Sequence, residues 1–163
     1  MNELLSRLSS YNLFNYLLPG CLFAVVASKF THHQVIQQIL VLGLFLYYFY
    51  GLVISRLGSL VLEPFLKRVR FLKFSDYGDF VIASRADPQI DVLSETNNMY
   101  RTLCSLLAVL VVLWACSLVE TKWPWLSSWE LPLLIGFLIM LFLLSYRKQT
   151  MYITNRVKAS LPK

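Results

Sequence analysis

The chain has 163 residues, of which 57% are hydrophobic and 15% aromatic, and its mean hydropathy is +0.59. That is too apolar for a water-soluble domain of this length, so a lipid bilayer must be the solvent for much of it. The formal net charge of +6 reads as a topology signal rather than a nucleic-acid footprint, because juxtamembrane bases ordinarily fix orientation and meet lipid.

Residues 1–10, MNELLSRLSS, place Leu4, Leu5 and Leu8 on one helical face and predict a short interfacial helix. Four apolar stretches follow, at about 10–30, 35–54, 101–119 and 129–146, each near the 20 or so residues that a helix needs to cross roughly 30 Å of hydrocarbon. The fold class predicted is all-α, an integral membrane protein with four transmembrane helices in two hairpins. Its parts are residues 1–55 (interfacial helix and first hairpin), 56–100 (cytoplasmic helical connector), 101–146 (second hairpin) and 147–163 (cytoplasmic tail). The first stretch lacks a small-residue cleavage site and carries Asn12, Asn15 and Pro19, which argues against a signal peptide. Pro19 and Gly20 predict a kink or break, either a hinge or a defect that neighbouring helices absorb. Asn12 and Asn15 are expected either at headgroups or bonded to another helix.

Lys29, His32, His33 and the loop at 120–130 fall on one side, with Trp123, Trp125 and Trp129 as an aromatic belt. With both termini cytoplasmic, only Lys29 and Lys122 of the fifteen basic residues lie outside. In FLYYFYG, residues 45–51, tyrosines near mid-bilayer need partners, from helix packing or from a pore lined by Tyr47 or Tyr50.

A second span that starts near Val35 exhausts the hydrocarbon at about Ile54. Arg56 then sits at the inner interface with its stem snorkelling to phosphates, alongside Glu63 and Arg101 as the interfacial charges. Leu57, Leu60, Val61 and Leu62 are left beyond the lipid, whereas immersing them would bury Arg56 at a cost of about 3 kcal/mol or more. Gly51, Ser55 and Ser59, with Gly58 beside them, form a small-residue stripe that admits another helix backbone closely. The second helix is therefore expected to overhang the bilayer and end near Glu63, before Pro64. Its stripe is expected to pack between copies in a homo-oligomer. DVLSETNNMYR, residues 91–101, predicts a matching overhang on the third span.

PFLKRVRFLKF, residues 64–74, has Phe65, Leu66, Val69 and Leu72 on one face. Lys67, Arg68, Arg70 and Lys73 are placed for lipid headgroups, so a helix lying on anionic lipid is expected. Ser75 is expected to cap a helix over 76–84. Asp76, Asp79, Asp87, Asp91 and Glu95 make residues 76–95 acidic, as a solvated surface or as a docking patch for a basic cytosolic partner. Cys21, Cys104 and Cys116 lack metal or redox spacing and read as small apolar residues. No span carries an Asp, Glu, Lys or His at its centre, and no Walker A, GxSxG or HExxH pattern occurs. The expectation is therefore a non-enzyme without cofactor, metal, small-molecule substrate or direct nucleic-acid binding.

Two hairpins, inside termini and a charged connector together resemble the small four-span membrane subunits of the Kiwa anti-phage defence system, and also the four-span effectors of nucleotide-signalled phage defence. The resemblance is one of layout, so no family residue is carried onto this chain. It implies an oligomer in the bacterial inner membrane that senses phage-induced disturbance and holds a cytosolic partner protein. The expected function is thus an oligomeric scaffold or sensor, with a pore-forming effector as the alternative.

Overall fold

The computed structural model describes residues 11–31 and 35–160. The interfacial helix expected over residues 1–10 and the pair His32 and His33 lie outside the described residues. The described chain is all-α. A π-helical segment, Leu13–Leu17, leads into α1 (Leu18–Phe30). The next helix, α2 (Leu40–Leu57), runs through a second π-helical segment, Gly58–Leu62, into α3 (Glu63–Arg68). Then come α4 (Tyr77–Ala86), α5 (Gln89–Lys122) and α6 (Glu130–Ser160), the last two joined by 3-10 helix over Pro124–Trp129.

Among the described residues, three helices are long and apolar enough to cross a membrane: Leu40–Arg68, Gln89–Lys122 and Glu130–Ala159. Leu13–Lys29 is a shorter apolar helix. Residues 35–39, expected to open the second span, are not helical.

Neither Pro19 nor Pro64 ends its helix, contrary to the break and the stop expected there. A helical proline lacks an N–H, and its ring clashes with the carbonyl four residues back. Here each proline stands two residues after a π segment. The Leu18 N–H bonds to the Leu13 carbonyl, and the Glu63 N–H to the Gly58 carbonyl, each five residues back. The wider turn makes room for the ring. The second helix therefore runs on to Arg68, and the chain turns at Arg70, which takes a φ of 59°. Residues 71–76 are irregular, so the surface helix expected over PFLKRVRFLKF is reduced to its first residues, continuous with the second span.

Asp76, not Ser75, caps α4, accepting the Gly78 N–H at 2.8 Å. Just ahead of α5, Asp87 accepts the Gln89 N–H at 2.9 Å. Uninterrupted over 34 residues, α5 is about 51 Å long and joins the expected overhang to the expected third span. Likewise α6 carries residues 147–160 as its own last turns, so the tail expected there is an extension of the fourth helix.

α1 and α2 cross where Gly20 and Gly51 meet the other helix's backbone. A Cβ on Gly20 would overlap the Tyr47 carbonyl oxygen, and one on Gly51 the Tyr16 carbonyl oxygen. Small residues make such an approach possible, and dispersion between the touching backbones holds it in lipid. α5 packs across this pair. α6 stands nearly free: 6% of its most apolar 18-residue window is buried, against 22% for the helix through α2. It buries Leu141 and Ser145, and its contacts with the rest include Phe49 with Phe142, ring centroids 6.1 Å apart, Tyr77 stacked on Tyr152 at 5.8 Å, and one lysine.

Candidate functional site

Six of the buried polar side chains, Asn15, Ser55, Ser59, Glu63, Thr102 and Ser105, gather in two adjacent layers where the helix containing Leu13–Leu17, α2, α3 and α5 converge. The first layer is neutral. Thr102 is wholly buried and Asn15 almost so. The Thr102 hydroxyl oxygen lies 2.9 Å from Asn15 Oδ1, 3.2 Å from Ser55 Oγ and 2.9 Å from the Asn98 carbonyl. One hydroxyl proton serves one acceptor at a time, and the Ser55 hydroxyl can donate in return. Asn15 Nδ2 donates to Tyr11 Oη at 3.0 Å, and Ser105 Oγ donates to the Ile54 carbonyl at 2.9 Å. Three helices are thereby fixed in register by groups that hydrocarbon would leave unsatisfied.

The second layer is ionic. Glu63, buried at the start of α3, accepts from Lys67 Nζ at 2.8 Å and from Arg101 at 2.9 Å. Lys67 also lies over the Phe74 ring, 4.2 Å from its centroid. From α6, Lys148 Nζ donates to the Ser59 carbonyl at 2.6 Å and to Ser59 Oγ at 2.7 Å.

Helix geometry explains why that carbonyl is free. In an α-helix it would accept from Glu63 N–H, which here goes to Gly58. Carrying the π register one residue further would pair it with residue 64, a proline, which has no N–H to give. The Lys148 ammonium supplies the missing donor.

Of the interfacial charges expected from sequence, Glu63 and Arg101 are paired, while Arg56 forms no ion pair with a described residue. The small-residue stripe expected between copies is filled within the chain. Gly51 meets Tyr16, Ser55 meets Thr102, and Ser59 meets Lys148. A Cβ on Gly58 would lie 3.2 Å from Ser105 Cβ. Gly20 serves the helix crossing, and Pro19 is buried within a continuous helix.

Arg68, Arg70 and Lys73 are exposed, as are all five acids, Asp76, Asp79, Asp87, Asp91 and Glu95. Tyr47 accepts from the Gln37 N–H at 3.2 Å and Tyr50 packs edge-on to Phe23, so both are engaged in packing. The three cysteines are unpaired, and among the described residues no group of His, Cys, Asp and Glu could hold a metal.

Sequence reasoning missed Lys148, which reads as one more base after a span, and missed Thr102. A serine five residues ahead of a helical proline was the one available signal for the first. Comparison with protein-family models, with curated proteins and with solved structures finds no match, so the functional reading rests on the geometry. The three long apolar helices suggest a multi-pass membrane protein.

Proposed function

We propose that this chain is a non-enzymatic, oligomeric scaffold or sensor of the bacterial inner membrane. In this reading it crosses the bilayer four times with both termini in the cytoplasm, and it recruits a cytosolic partner protein. The observation that carries the reading is uncovered apolar surface beyond the hydrocarbon. α5 and α6 each exceed the roughly 30 Å of the bilayer core. Their polar halves nevertheless expose Val92, Leu93, Met151 and Ile153, and α4 exposes Ile82. Side chains of this kind on a water-facing stalk call for protein cover. The five exposed acids on α4, at its two ends and at the start of α5 give that surface a charge complementary to a basic partner. The defence setting rests on the resemblance of layout.

Tagged protein extracted in mild detergent should bring down further copies and a soluble companion, whereas a lone monomer would contradict the reading. The other reading, a pore that depolarises the cell, has less support because Tyr47 and Tyr50 are occupied in packing. Membrane-potential dyes separate the two: a scaffold expressed without its partner leaves the potential intact.

A further inference from the structure

The ionic layer is unbalanced. Among the described residues, Glu63 is the one acid that acts appreciably on Lys148, while Arg56, Lys67 and Arg101 all lie within electrostatic reach of that ammonium. Glu63 is already spent on Lys67 and Arg101. Among the described residues, the hydrogen-bond acceptors of Lys148 are the two neutral oxygens of Ser59, and the Tyr152 ring lies 5.6 Å away. Arg56 has neither hydrogen bond nor ion pair among the described residues. Arg101 Nε is buried without any hydrogen-bond partner. Three cations, Lys67 of α3, Arg101 of α5 and Lys148 of α6, therefore surround one carboxylate, with Arg56 of α2 adding its charge to the field at Lys148, and a partly desolvated excess of positive charge is costly unless an anion joins it.

We propose that Arg56, Arg101 and Lys148 form a binding site for a phosphoryl group, with Glu63 holding Arg101 in place. Guanidinium forks match the oxygens of a phosphate, and Lys adds a point charge. The site lies just past the apolar part of α2 and before that of α5, at headgroup depth in the topology proposed above. The phosphodiester of an anionic phospholipid and a soluble phosphate compound are the two sources of this chemistry. The inference depends only on the charge geometry and stands whether or not the scaffold reading does.

The test uses the full chain in nanodiscs of zwitterionic lipid, with two probes: phosphatidylglycerol added to the disc, and inorganic phosphate added to the buffer at constant ionic strength. Thermal unfolding and native mass spectrometry of retained lipid are the readouts. Wild-type protein should be stabilised saturably by at least one probe. Arg56→Gln should weaken that half-saturation by about fivefold, the effect of one base near a charged surface, and Lys148→Gln by at least as much. Exposed Arg70→Gln should leave it unchanged. Stabilisation by lipid alone assigns the site to a headgroup, and stabilisation by phosphate as well assigns it to a soluble ligand. Because Arg56 bonds to no described residue, its variant should fold even if Lys148→Gln does not. The proposal is overturned if neither probe binds saturably, if Arg56→Gln binds as wild type does, or if Arg70→Gln weakens binding equally.

Discussion

Lys148 grips both oxygens of Ser59, residues 89 apart in sequence, at the point where a π segment followed by Pro64 has left the Ser59 carbonyl without a backbone donor. The same lysine is the polar tie between α6 and the helix through α2. Hydrogen bonds to charged groups contribute about 1.5–3 kcal/mol, so Lys148→Met should destabilise the protein by that order in SDS-titration unfolding. Ser59→Ala should cost less, because the carbonyl still accepts. Pro64→Ala returns a backbone N–H at residue 64, so Lys148→Met should cost less in that background. Equal costs in the two backgrounds would refute the account of the free carbonyl.

Glycines should grade by what their missing side chains would meet. Gly20→Ala and Gly51→Ala drive a methyl into a backbone carbonyl, and each should cost about 3 kcal/mol or more, beyond the usual overpacking penalty. Gly58→Ala, with Ser105 Cβ at 3.2 Å and Arg101 Cγ and carbonyl oxygen at 3.3 Å, should fall between. Gly136→Ala, with nothing within 4 Å, should be neutral or stabilising by up to about 1 kcal/mol. The order of four melting temperatures checks this.

The two polar layers should differ in sensitivity. Thr102→Val keeps the shape but leaves Asn15 and Ser55 short of a partner, for a loss of about 1–2 kcal/mol. Glu63→Gln removes the carboxylate between Lys67 and Arg101, and uncompensated charge in a buried pair costs about 3–5 kcal/mol. Rescue of Glu63→Gln by Arg101→Gln, measured as a smaller loss in the double variant, would show that the stranded guanidinium is the source.

Orientation can be read by labelling single cysteines, in a background where Cys21, Cys104 and Cys116 are replaced by Ala. An impermeant maleimide applied to intact cells should modify Lys122→Cys, and should reach Arg85→Cys and Arg156→Cys only after lysis. Labelling of all three in intact cells would contradict the proposed topology.

How much of this was legible in the sequence follows from which forces are local. Hydropathy marked the long helices, and the helix-compatible stretch from Asp91 to Arg101 marked the polar first part of α5, because both depend on composition along one segment. The fates of Pro19 and Pro64 were not legible: the sequence shows the missing N–H but not the π segment ahead that accommodates it. Gly51, Ser55, Gly58 and Ser59 were legible as a close-packing face. Which helix they meet depends on rotation and register, and the first helix, α5 and α6 take those places within one chain. Lys148 illustrates the same limit, since nothing local distinguishes it from Arg147 beside it.

The central claim is that the apolar side chains exposed on the stalk, beyond the hydrocarbon, are covered by protein. Particle mass in nanodiscs formed directly from cell membranes, without detergent, tests it most directly. The account predicts particles holding several copies, which fall apart when Val92, Leu93 and Ile153 are together changed to Glu. Particles of one chain each, in wild type and variant alike, would contradict it.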